Sequence, residues 1–125
     1  MKEKKKIVIV EDELDFAKVV KLRLENVGYK VHISLDTYLG MHDIVKNQPD
    51  LVILDLMMPA GGGFALLERL RNNPSTVTIP VVIMTGKPID EEMRSKAETY
   101  DVAEIFQKHY DPATFVEKIM GIIPA

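Results

Sequence analysis

Four apolar runs in this chain end on groups that can do chemistry together. Ile7-Val8-Ile9-Val10 leads into Glu11-Asp12, Leu51-Val52-Ile53-Leu54 into Asp55, Val81-Val82-Ile83-Met84 into Thr85, and Ile105-Phe106-Gln107 into Lys108. If the runs are parallel strands of one sheet, these groups emerge at one edge, as three carboxylates, a hydroxyl and an ammonium. Clustered carboxylates repel one another unless one keeps its proton or a cation neutralises them. Magnesium suits this donor set, because it prefers oxygen ligands and retains several waters. Asp55 can then serve as a nucleophile towards phosphorus, giving an acyl phosphate. Magnesium and Lys108, with its positive charge on the far side, would stabilise the transferring group by position and charge, and Thr85 can donate its hydroxyl to a phosphoryl oxygen.

Taken singly, each of these residues has an ordinary reading. An acidic pair after a strand is commonly a solvated turn, an Asp at a strand end a helix cap, a Thr before a Gly a turn residue, and a lone Lys a surface residue. Their joint placement at four strand ends is what points to a site.

The elements that would position them alternate along the chain. The runs at 7–10, 51–54 and 81–84 are continuous, as expected of strands buried on both faces of a parallel sheet. Val31-His32-Ile33 and Ile105-Phe106 are shorter and are expected nearer the edges. Between them lie five helical stripes. They are Phe16, Val19, Val20, Leu24 and Val27; Tyr38, Met41, Ile44 and Val45; Leu66, Leu67 and Leu70; Met93, Ala97 and Tyr100; and Phe115, Val116, Ile119, Met120 and Ile123. Gly28 reads as a helix stop, Asp90-Glu91-Glu92 as an acidic helix start, and Pro112 as a first-turn residue. Gly61-Gly62-Gly63 lacks the Lys-Ser/Thr of a phosphate-cradling loop and reads as a flexible loop into the third helix. The pattern predicts an α/β fold, a doubly wound five-stranded parallel sheet. Such sheets bind ligands where strand order reverses. Acids close the first and third runs but not the second, which suggests the order 2-1-3-4-5.

The 125 residues fit one domain, 1–125. Without cysteine, disulfides, zinc-thiolate sites and thiol nucleophiles are excluded. The net charge of −3 gives no basic stripe for a nucleic-acid backbone, and the lysines at 2 and 4–6 read as a solvated strand entry. No apolar run approaches the ~18 residues of a membrane span, and the start is no signal peptide, so a cytoplasmic protein is expected, with no nucleic-acid or membrane partner of its own. His32, His42 and His109 share no metal-ligand spacing and read as structural or surface residues.

At these residues the chain resembles the response regulator receiver domain of two-component signalling. The resemblance runs from Lys5 to about Ile123, through Ile7 to Glu13, Pro49 to Pro59, Thr85-Gly86 and Lys108. It implies a flavodoxin-like (βα)5 fold and a phospho-acceptor at Asp55, served by a sensor histidine kinase or phosphotransfer protein. It also implies magnesium held by Asp12, Asp55 and the carbonyl of Met57, with Glu11 acting mainly through water. Thr85 and Lys108 would contact the phosphoryl group and signal its presence to a downstream partner of unknown identity. Such a domain promotes its own phosphorylation and dephosphorylation without being an enzyme in the ordinary sense.

The chain departs from the family pattern at four places. His109 replaces the usual proline after the lysine, Ile105 the aromatic switch residue, Asp101 the glycine ending the fourth helix, and Gly86 the alanine after the threonine. A cis peptide before His109 would cost ~2.5–4 kcal/mol, so a trans bond is expected. Ile105 has no ring to swing, which leaves the fourth helix as the expected mobile element. Met57 and Lys87 occupy the positions that flank the approach of hydrolytic water, and neither orients or deprotonates it. Slow autodephosphorylation, over minutes to hours, is expected.

Three rival readings meet these residues differently. An aspartate-nucleophile phosphohydrolase commonly carries a second Asp two residues after the nucleophile, where this chain has Met57. A flavin-binding domain needs a Ser/Thr/Gly-rich first turn, not Glu11-Asp12-Glu13. A degenerate receiver acting only as an interaction module requires loss of an acid, Asp55 or Lys108, and all are present; the altered output residues keep it as the alternative to the main reading.

Overall fold

Successive residues of a strand point to opposite faces of its sheet, so an unbroken apolar run needs cover on both sides. The computed structural model describes residues 3–58 and 62–125. The strands are β1 (Lys6–Val10), β2 (Lys30–Ser34), β3 (Leu51–Asp55), β4 (Val81–Thr85) and β5 (Glu104–Gln107). They pair in parallel in the order β2-β1-β3-β4-β5. Between and after them come α1 (Leu14–Asn26), α2 (Thr37–Asn47), α3 (Gly62–Arg71), α4 (Glu91–Thr99) and α5 (Pro112–Ile122). Ile7, Ile9, Leu51, Ile53, Val82 and Met84 face α1 and α5, in one core with Leu24, Phe115 and Ile119. Val8, Val10, Val52, Leu54, Val81 and Ile83 face the other way, in a second core with Ile44, Leu66, Leu67, Leu70 and Ala97. The doubly wound sheet and its strand order are as the sequence predicts.

The helix faces differ in detail from the expected stripes. In α1 the buried residues are Ala17, Val20 and Leu24, while Val19 is 46% exposed. In α2 they are Gly40 and Ile44, while Tyr38 is 78% exposed. The register in α2 turns on Gly40, where a Cβ would lie 2.9 Å from both γ-methyls of Val10. That close approach sets which side of α2 meets the sheet. Met120 is likewise exposed on α5. Asp36, Asp90 and Asp111 cap α2, α4 and α5 by accepting the amides of Leu39, Met93 and Thr114. Gly28 follows α1 at φ +108°, a conformation that favours glycine, and Pro112 opens α5.

Where it is described, the glycine-rich segment is helix and not the expected flexible loop. Gly62 and Gly63 are the buried first residues of α3, and Gly61 lies outside the described residues. A Cβ on Gly63 would lie 2.6 Å from the carbonyl oxygen of Asp55 and 2.9 Å from Cα of Leu56. Glycine here lets α3 start against the backbone that leaves β3. Pro59, the last residue of the Pro49–Pro59 segment, also lies outside the described residues.

Candidate functional site

The parallel strands deliver the five polar groups to one edge. Glu11 and Asp12 follow β1, Asp55 and Thr85 close β3 and β4, and Lys108 follows β5. Backbone bonds fix the exits: Glu11 N–H donates to the Ser34 carbonyl at 3.0 Å, and Lys108 N–H to the Thr85 carbonyl at 2.7 Å. Carboxylate oxygens of Glu11, Asp12 and Asp55 all lie within 4.8 Å of one another. Glu11 and Asp55 are buried, and Asp12 is the exposed member of the set. One Asp55 oxygen accepts the Met57 amide at 3.0 Å. Thr85 is fully buried, and its hydroxyl oxygen accepts the Lys87 amide at 3.1 Å.

Lys108 does not stand on the far side of the acids. Its Nζ lies among them, 2.7 Å from Glu11 Oε1, 3.2 Å from Glu13 Oε1 and 3.4 Å from Asp55 Oδ2. It also sits 4.8 Å from the centre of the Phe16 ring, a cation–π contact. Sequence reasoning did not assign Glu13 or Phe16 to the site. Glu13 precedes α1 at its N-cap position but caps nothing with its side chain, which leaves the carboxylate free for Lys108. The signal was the third acid in Glu11-Asp12-Glu13, which a turn alone does not require.

The charges explain the titration of the site. Burial pushes the Glu11 carboxyl up, to about 7; the Lys108 bond and the Glu13 amide pull it down, and the nearby Asp55 charge raises it again. Burial disfavours the Lys108 ammonium, but Glu11, Asp55 and Glu13 outweigh it and raise its pKa above the usual lysine value. One lysine thus shares three acids, and an excess of negative charge remains. An all-oxygen set with one solvent-facing carboxylate fits a hard divalent cation.

The Lys108–His109 peptide is trans, as expected, and His109 has φ +72°. Asp101 stands at φ +58°, where the resemblance placed a glycine. Ile105 is half-buried, packed against the α2–α3–α4 core, while Phe106 is fully buried on the opposite face against Phe115 and Tyr110. The ring next to the switch position is therefore committed to the other core.

A family model of the response regulator receiver domain matches residues 7–120. The chain belongs to that family. This receiver domain is 39% identical over 120 residues to the DNA-binding dual master transcriptional regulator RpaA of Synechocystis, covering 94% of this chain and 48% of the relative. It is 29% identical to the phosphate regulon transcriptional regulatory protein PhoB of Pseudomonas aeruginosa, covering 95% and 52%. The receiver thus spans about half the length of these curated relatives. Among solved structures, the signal receiver domain of a DNA-binding response regulator from Colwellia psychrerythraea superposes with TM-score 0.87 at 27% identity, covering 97% of this chain and 99% of that one. Chemotaxis protein CheY4 of Vibrio cholerae shares the fold at TM-score 0.90 and 20% identity, over 97% and 100% of the two chains. Among the described residues, no helix of the receiver is long and apolar enough to cross a membrane.

Proposed function

We propose that residues 1–125 form one receiver domain that accepts a phosphoryl group on Asp55 in a magnesium-dependent reaction and passes a conformational signal to a partner. The observation that carries this reading is the convergence of Glu11, Asp12, Asp55 and Lys108 at one sheet edge. In the transfer, a carboxylate oxygen of Asp55 attacks phosphorus. The bond from phosphorus to the donor breaks, and its electron pair leaves with the donor: the imidazole of a phosphohistidine, or acetate when acetyl phosphate is used. Glu11, Asp12, Asp55 and the Met57 carbonyl would hold magnesium, which when bound offsets negative charge on the phosphoryl oxygens.

The chain's own groups set the rest. The Met57 amide fixes the Asp55 carboxylate. Lys108 is held on Glu11 and Asp55 before transfer and has to release Glu11 to follow the arriving phosphoryl group. Thr85 now has its hydroxyl oxygen on the Lys87 amide and can donate its proton to a phosphoryl oxygen. The donor is a histidine kinase or phosphotransfer protein, by analogy with the family. Incubation with magnesium and acetyl phosphate should add one phosphoryl group per chain by intact-mass measurement. Asp55→Asn should abolish the addition, and labelling that survives this substitution would remove Asp55 as the acceptor.

A further inference from the structure

Glu13 turns its side chain away from the helix it begins. It stands at the N-cap of α1, a position that favours the short side chains of Ser, Thr, Asp and Asn, yet its carboxylate makes no cap bond. Its amide donates to Glu11 Oε2 at 3.0 Å, which fixes its backbone beside the acids, and its carboxylate accepts from Lys108 Nζ at 3.2 Å. A residue that breaks a local preference with no local gain is where function is expected. Lys108 itself is enclosed, with 8% of its side chain exposed and its ammonium 4.8 Å from the centre of the Phe16 ring. An ammonium has three N–H bonds. Three carboxylates surround this one: Glu11 at 2.7 Å, Glu13 at 3.2 Å and Asp55 at 3.4 Å.

We propose, on the reading of Glu11, Asp12 and Asp55 as the magnesium set, that Glu13 is a positioning residue for phosphoryl transfer. It takes over the Lys108 ammonium as Glu11 and Asp55 engage the cation, and so keeps the lysine at the reacting edge until a phosphoryl group arrives. Two of the lysine's three carboxylates belong to the magnesium set, so ammonium and cation compete for them. Glu13 lies outside that set. Its side chain is 67% exposed, against 2% for Glu11 and Asp55, so it meets the enclosed ammonium from the solvent side. Lys108 can exchange Glu11 for Glu13 by a small displacement of its end, because both oxygens already lie within bonding reach of Nζ. Without Glu13 the ammonium has only Glu11 and Asp55 as carboxylate partners, and it opposes the cation there.

A plainer account is that Glu13 only adds negative charge near the cation. Magnesium titration calorimetry of the whole chain separates the two, in the parent, Glu13→Gln, Lys108→Met and the double variant. Lys108→Met should bind magnesium more tightly than the parent. Glu13→Gln should bind it more weakly, by roughly two- to fivefold, the worth of a partly exposed ion pair. In the Lys108→Met background the same change should have no effect, because no ammonium is left to receive. At saturating magnesium, Glu13→Gln should also slow phosphoryl uptake from acetyl phosphate. An equal weakening in both backgrounds, or a Glu13→Gln protein with the parent's affinity or uptake rate, would overturn the proposal. Magnesium binding that is absent from the parent, or that survives Asp12→Ala, would remove the acidic set and this proposal with it. Binding lost in Asp12→Ala, with no lysine-dependent effect of Glu13→Gln, would remove this proposal alone.

Discussion

Lys108 and Met57 both contact the Asp55 carboxylate, one through its ammonium and one through its amide. Asp55 and Lys108 are 2% and 8% exposed as side chains, so phosphoryl transfer to the carboxylate requires its surroundings to open. Met57 is 48% exposed and gives its amide, not its side chain, to Asp55. Lys87 likewise contributes its amide, to Thr85, and its side chain is exposed. Neither side chain can take a proton from an attacking water, so general-base assistance, about 10²–10⁴-fold where present, has no source at these two positions. The phosphorylated protein should lose its phosphoryl group over minutes to hours. Met57→Asn, which supplies an amide to orient water, should shorten that lifetime by part of this factor. Mass spectrometry against time decides it: a lifetime of seconds, or an unaccelerated variant, would mean that other residues govern water.

Two elements lean on the site in different ways. The start of α3 rests on the backbone that carries Asp55, and Gly62 and Gly63 together permit it: Gly62 stands at φ +69°, where a Cβ would lie 2.8 Å from the Leu56 carbonyl oxygen. Gly63→Ala puts a methyl 2.6 Å from the Asp55 carbonyl oxygen, where backbone on both sides must shift. Such overpacking costs about 1–3 kcal/mol, so urea denaturation should register a loss of that size together with slower phosphoryl uptake. Gly86→Ala is the control, since its methyl meets only Lys108 Cδ, at 3.9 Å. The other element is α4, which buries Ala97 alone. Arg71 ties its C-terminal end to the segment before β4, donating to the carbonyls of Tyr100 and Asp101 and to those of Val77 and Ile79. Its N-terminal end follows the exposed Gly86-Lys87-Pro88 and is held by the Asp90 cap. Few buried contacts make an element cheap to open. On phosphorylation, amide exchange should change over Glu91–Thr99 and little at Ile105; the reverse pattern would place the switch on β5.

At the scale of the whole molecule, the crowded acids make stability depend on pH. Glu11 titrates near 4.5 when unfolded and at about 7 in the fold. Between those values the folded chain holds a proton that the unfolded chain has released, so this contribution is full below 4.5 and is lost as pH rises through about 7. The melting temperature of the metal-free protein should therefore fall from mildly acidic to mildly alkaline buffer, and Glu11→Gln should flatten the slope. Magnesium, bound only by the folded state, should raise the melting temperature, most of all on the alkaline side where Glu11 is ionised. Asp12→Ala should remove that gain. An Asp12→Ala protein stabilised as much as the parent would place the cation elsewhere.

What the sequence determined by itself is what periodicity and position along the chain encode. Continuous apolar runs of strand length announce a sheet covered twice, and a polar residue at the end of each run announces an edge with chemistry. From these came the strands, their order and the placement of Glu11, Asp12, Asp55, Thr85 and Lys108. The tertiary structure decided what depends on contact between distant segments. Glu13 meets Lys108 across 95 residues, and the third acid of Glu11-Asp12-Glu13 hints at a role without naming that partner. His32 meets Asp43 only because β2 is an edge strand roofed by α2. The buried faces of α1 and α2 depart from the apolar stripes at Val19 and Tyr38 because hydrophobicity says which residues favour burial, not how close a helix comes to its sheet. That distance is set by side-chain size at the contact, and in α2 the deciding residue is Gly40, the one with no side chain.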